Sequence, residues 1–220
     1  MYAWTFEAVT SNWPLLRQGL LVTVWLTSCA MALAVVIGGA LAVVAEYGSR
    51  SWAWAVAGYV ELFRGLPLIV LLFWIFYALP LLAGHSFSPF VSGLIALTMN
   101  VSAFVTEAFR AGIASVASGQ QEAAISLGMR TLQVVRRIIW PQAWRRMLPV
   151  VGSIWVGLFK DSALVSLIQV HDLMFEGRVV ANRSFRYLEV YTSVALIYFV
   201  VAYPQARLLD RVFERIRTVE

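Results

Sequence analysis

At 220 residues, 60% hydrophobic and only 13% charged, the chain carries too little charge to cover the surface of a soluble domain. Its mean hydropathy of +0.76 and its long apolar runs point to an all-α integral membrane protein, a single domain over 1–220 with about five transmembrane helices. The net charge of +5 comes from sixteen Arg and one Lys, and these arginines flank apolar runs, so the positive-inside rule explains them better than nucleic-acid binding does.

Nothing basic precedes Arg17, and the apolar run that follows is too long for a signal-peptide core, so the N-terminus reads as retained. Gly19 to Ala45, 27 residues without a charge, is the first predicted span. It contains the single cysteine, Cys29, so an intrachain disulfide is excluded. The second span is predicted from Trp52 to Leu82, with a kink at Pro67. Glu61 and Arg64 in its first part read as a structural i, i+3 pair. The third span is predicted over Pro89 to Ile113, the fourth over Leu148 to Ile168 and the fifth over Val190 to Leu209.

Arg50, then Arg110, Arg130, Arg136, Arg137, Arg145 and Arg146, then Arg207, Arg211, Arg215 and Arg217 all fall on one side of the membrane if the N-terminus is outside and the C-terminus cytoplasmic. Arg178, Arg183 and Arg186 fall on the outer side, diluted by Asp172, Glu176 and Glu189; they read as a solvated loop or as partners for acids of a docked protein. His85 and His171 have no second His at metal-ligand spacing, so no metal site is expected. No paired catalytic acids or Ser-His-Asp order appears, and no catalytic residue is assigned. Trp4, Trp13, Trp52, Trp54, Trp140 and Trp144 suit an aromatic belt.

Between the third and fourth spans, about 114–145, the chain turns amphipathic. Ser118 with Gln121 predicts a capping box, Gly128 a helix end, Thr131 a second cap and Pro141 the next boundary. Ala123 and Ala124 admit a close neighbour, while Val134, Val135, Ile138 and Ile139 oppose the arginines. On this pattern alone, a helix lying among anionic headgroups and a helix docked in a protein groove are both open.

Glu122-Ala123-Ala124, Gly128, Ile138 and Pro141 together resemble the EAA loop of the membrane subunits of ATP-binding-cassette importers, with Trp140 where Leu is common. Glu61 to Leu68, Ser102 to Ile113, Leu148 to Lys160 and Lys160 to Ser166 are similar to stretches of the polar-amino-acid permeases in that family; Leu66 stands where Thr is common and Ser153 where Asn is usual. The resemblance covers roughly 15–210. It implies a cytoplasmic coupling helix, with Glu122, Ala123, Ala124, Gly128, Ile138 and Pro141 as the contact to a separate ATPase. It also implies a second permease subunit, identical or homologous, an extracytoplasmic solute-binding protein and a bacterial inner-membrane location. ATP and Mg would reside on the ATPase, since this chain's only lysine, Lys160, follows no Gly-rich phosphate turn.

Within the spans, Glu107, Asn100, Ser153, Lys160, Asp161 and Ser162 are the candidate substrate-lining residues. An intramembrane charge costs roughly 2.5–3.5 kcal/mol on insertion scales, so such residues face a partner or a pathway. Lys160 and Asp161 point about 100° apart and cannot both face lipid cheaply. Each has a structural alternative, a pairing with a neighbouring helix; for Glu107 that alternative is Arg110, three residues on. The expected function is the permease subunit of an ATP-driven importer of a polar or charged amino acid. The competing readings are an importer of another small solute, a membrane adaptor that recruits an ATPase, and a passive channel.

Overall fold

The structure, a computed structural model, describes residues 3–217, with the side chains of Thr131, Leu132, Asp210, Val212 and residues 214–217 outside that description. The cap expected of Thr131 and the charges expected of Arg215 and Arg217 therefore lie outside the described residues. Every regular element among those described is helical.

A short α1 (Glu7–Ser11) leads into α2 (Trp13–Tyr47), whose 35 residues contain the first predicted span. Pro14 sits in the first turn of α2, where a missing N–H costs nothing. At 1.5 Å per residue α2 is about 50 Å long, more than a hydrocarbon core requires.

The predicted second span is not one kinked helix. It is α3 (Arg50–Gly65) and α4 (Leu68–Ala83), bent by 103° where they meet. The cause is local. Pro67 forces Leu66 out of the helical region, to φ −83° and ψ 135°, so the chain leaves α3 extended and restarts on the proline.

α5 (Pro89–Ala114) matches the third span, and Ser88 caps it by accepting from the Val91 N–H at 3.3 Å. α6 (Ser118–Ser126) follows, but its N-cap is Ala117, so the capping box predicted from Ser118 does not form. α7 comprises Thr131–Val134, a π turn Val135–Ile139 and Trp140–Asp161, continued by the 3₁₀ segment Ser162–Ile168. Pro141 is thus no boundary, and the fourth span begins before Leu148. A second π turn, Trp74–Ala78, lies inside α4. Each π turn ends two residues ahead of a proline, Pro80 or Pro141. A widened turn makes room for the pyrrolidine ring and lets the helix run on.

α8 (Leu173–Ser184) occupies a stretch read as loop, and α9 (Tyr187–Arg217) carries the fifth span. Among the described residues four helices are long and apolar enough to cross a membrane, five if α3 and α4 form one broken span.

α2 and α5 pack at the centre. A Cβ on Gly38 would lie 2.8 Å from the Ser102 carbonyl oxygen and from Val105, so only glycine allows this approach. In lipid, such close packing rather than water exclusion holds helices together. The larger apolar cluster includes Leu26, Leu72, Leu97, Val105 and Met147. A smaller one, with Leu16, Leu173, Val180 and Val190, joins the start of α2 to α8 and α9.

Candidate functional site

The polar candidates divide into three places. Asn100 and its neighbours tie α5 to α3. The Asn100 Nδ2 donates to the Phe63 carbonyl at 2.8 Å, and the Tyr59 hydroxyl lies 2.7 Å from Ser102 Oγ and 3.2 Å from the Met99 carbonyl. Phe63 and Met99 border an apolar hollow of about 480 Å³ enclosed by the bend between α3 and α4, with Leu66, Trp74 and Leu79 among its walls. Arg64 lies 5.3 Å from the Phe104 ring centroid, so it covers that ring where the sequence suggested a pair with Glu61.

One turn further along α5, Glu107 and Arg110 form an ion pair at 3.4 Å, with both side chains partly exposed. The Arg110 Nε is buried without a hydrogen-bond partner among the described residues. The third place is a cleft of about 230 Å³ between α7 and α9, lined by Ser153, Gly157 and Lys160 on one side and Ala206, Leu209 and Phe213 on the other. Asp161 is exposed beside it. Ser162 is fully buried, and its hydroxyl donates to the Phe159 carbonyl at 2.8 Å. Ser153 donates to the Pro149 carbonyl at 3.1 Å. Ser153 and Lys160 therefore share one cleft. Among the described residues no hydrogen bond or ion pair joins Glu107 or Asn100 to Lys160 or Asp161.

The coupling candidates sit together beyond α5. Only Ala124 of α6 is buried; Glu122 and Ala123 are exposed, as are Ile125 and Leu127, the latter at 85%. The sequence reading missed Ile125 and Leu127, because apolar side chains beside a chain reversal look like core. α6 ends as predicted at Gly128, which takes φ +81°. The Gly128 N–H donates to the Ile125 carbonyl at 2.9 Å and the Met129 N–H to the Ala124 carbonyl at 3.1 Å, the paired bonds of a Schellman end. Ile138 is half-buried against the main cluster, and Pro141 is exposed just past the π turn. Two side chains of α7 reach back, one to the first turn of α6 and one to the residue that closes α5. Gln142 donates to Gln120 Oε1 at 2.7 Å, and Arg146 donates to the Ser115 carbonyl.

The α8 end holds a polar cluster that the sequence reading passed over. Asp172 is fully buried and caps α8, accepting from the Phe175 N–H at 2.9 Å. Tyr198 donates to its other oxygen at 3.4 Å. Burial pushes the Asp172 carboxyl up to about 6, more than its hydrogen bonds pull it down. The next N–H, of Leu173, donates to Thr23 Oγ1 at 3.1 Å and fastens α8 to α2. Glu189, also fully buried, accepts from the Thr5 N–H at 3.3 Å and pairs with Arg186 at 3.5 Å. Glu176 meets His171 Nδ1 at 2.8 Å. Asp172 followed by Glu176 is a readable helix start, an acidic cap with an acid in the first turn.

Residues 34–218 match the family described as binding-protein-dependent transport system inner membrane component. The chain is 34% identical over 212 residues to the probable amino-acid permease protein YxeN of Bacillus subtilis, covering 96% of this chain and 94% of that one. It is 35% identical over 193 residues to the probable glutamine ABC transporter permease protein GlnM of the same organism, covering 88% and 89%. A crystal structure of an amino acid ABC transporter with histidines superposes with a TM-score of 0.91 at 34% identity, over 97% of this chain and 100% of that one. The MetNI methionine ABC transporter in an inward-facing form shares the fold, with a TM-score of 0.80 at 20% identity, over 94% and 98%.

Proposed function

This chain belongs to the family of binding-protein-dependent transport system inner membrane components, and from that premise we propose that it is the permease subunit of an ATP-driven importer of a polar or charged amino acid. It works beside a second permease subunit, with the pathway formed between the two bundles by alternating access. Two ATPase subunits carry ATP and Mg and grip α6. A solute-binding protein delivers the substrate at the α8 end, which faces outward from a bacterial cytoplasmic membrane.

The observation that carries this reading is α6. It is a nine-residue helix between two spans, with one buried side chain and an exposed run of Glu122, Ala123, Ile125 and Leu127. A helix so poorly buried gains little from its own protein and suits a groove on another. The Schellman end and the Gln142 tie suit it to transmit a displacement into α7, which Arg146 in turn links to the end of α5. Glu107 and Asn100 on α5, and Ser153, Lys160, Asp161 and Ser162 on or beside α7, are the groups that such a displacement would move.

Uptake of radiolabelled amino acids into proteoliposomes containing the whole complex tests the proposal. Uptake that requires ATP and the binding protein is expected. ATP turnover without uptake would make the chain an adaptor, and uptake without ATP would make it a channel.

A further inference from the structure

Two arginines at the α8 end are occupied within the protein. Arg178 donates to the Ser166 carbonyl at 3.1 Å and Arg186 to the Ala3 carbonyl at 3.3 Å. Arg183, the third arginine there, is exposed, but the opposite end carries more of them. From Arg110 to Phe159 the sequence holds six arginines and one carboxylate, Glu122. Among the described residues Arg136, Arg137 and Arg145 are exposed and make no hydrogen bond or ion pair.

These three flank Trp140 and Trp144, whose rings stack at 6.1 Å with 25° between planes and stay 38% exposed. Arg136, Trp140 and Trp144 follow at four-residue intervals, the spacing of one helix face. Both indoles rest on the buried Phe109, at 6.0 and 6.3 Å. The Phe109 ring in turn lies against Gly39, eight residues short of the end of α2 at Tyr47. Gly39 lies in the last quarter of α2, so the indoles sit beside its closing turns, toward the end of a span, where tryptophan belts are found. α6 is the surface proposed above for the ATPase, whereas the indoles, exposed on the flank of a span, are placed for lipid.

We propose that Arg136, Arg137 and Arg145, with Trp140 and Trp144, form a binding site for the phosphate headgroup of an anionic phospholipid. Guanidinium groups match phosphate oxygens in charge and in fork geometry, and indoles suit the boundary between headgroup and acyl chain. The site does not depend on the transport reading, because it needs only this surface and a bilayer.

The test uses the full-length chain purified with the subunits that accompany it and incubated with equal parts phosphatidylglycerol and phosphatidylcholine. Retained lipid is counted by native mass spectrometry. The wild type should keep phosphatidylglycerol in preference and release it as salt is raised. Each arginine near an anionic surface is worth roughly a factor of five. The triple variant Arg136→Gln, Arg137→Gln, Arg145→Gln should therefore lose retention by at least tenfold, on the order of a hundredfold before screening. Lysine at the three positions should keep the charge-driven part of the preference and lose the part owed to fork geometry. A wild type that holds the two lipids equally, or a glutamine variant that keeps its phosphatidylglycerol, overturns the proposal. So does a glutamine variant that sheds its accompanying subunits while its lipid stays, since the arginines would then belong to a protein contact. If the glutamine variant does not assemble, salt release from the wild type decides.

Discussion

Asn100 caps a carbonyl that a proline has orphaned. In an unbroken helix the Phe63 oxygen would accept from the N–H of residue 67, but that residue is Pro67; instead, the Asn100 amide of α5 donates to it at 2.8 Å. The bond spans the break where the chain bends by 103°. Asn100 thus has a structural occupation in addition to its candidacy for the pathway, and its Oδ1 stays available to other donors.

Asn100→Ala should destabilise the protein by about 1–3 kcal/mol, the cost of leaving a buried acceptor unmet. In a Pro67→Ala background, where position 67 regains an N–H, the loss should shrink. Thermal unfolding of the four members of this cycle in detergent measures the coupling. A loss of the same size in both backgrounds would separate Asn100 from the break.

Glu107→Gln should lower amino-acid uptake while leaving assembly and melting temperature nearly unchanged. The pair with Arg110 is partly exposed, so it contributes only about 0–1 kcal/mol to stability. Wild-type uptake by this variant would remove Glu107 from the pathway and leave it as a partner for Arg110.

Gly128 holds φ +81°, so Gly128→Ala should cost about 1 kcal/mol at the end of α6, and Gly128→Asn less. The effect should appear as reduced substrate-stimulated ATP hydrolysis by the assembled complex, with basal hydrolysis retained. Equal stimulation in the wild type and the alanine variant would mean that the geometry of this helix end does not matter for coupling.

The Asp172 carboxyl is raised from 3.8 to about 6 in the folded protein, so the native state binds this proton more tightly than the unfolded chain does. Its contribution to stability is fully present below pH 3.8 and is lost as pH rises through about 6. The span of that change is on the order of 3 kcal/mol. Asp172→Asn keeps an acceptor for the Phe175 N–H and cannot ionise. Its melting temperature should lack this decline, and subtracting the two pH profiles isolates Asp172 from the neighbouring Glu176 and His171. Parallel profiles would show that the carboxyl ionises freely.

The spans were legible because apolar length and the placement of arginines are written along the chain. The size of the break at Pro67 was not, since a proline alone allows anything from a kink to a restart. What decides is the extended Leu66 and the amide of Asn100, 37 residues from its acceptor. Pro141 misled in the other direction: read as a stop, it is carried through by the π turn ahead of it. Of the pathway candidates, Ser153 and Lys160 share a cleft as their seven-residue spacing on one helix face implies. α8 is too short and too charged to read as a span, and the burial of Asp172 and Glu189 depends on α2 and α9 closing over them.

The Thr5 N–H reaches Glu189 across 184 positions of sequence. During synthesis the Thr5 amide must therefore wait for this bond until residue 189 has left the ribosome. A nascent molecule stalled before that point therefore lacks this fastening between the stretch ahead of α1 and the start of α9.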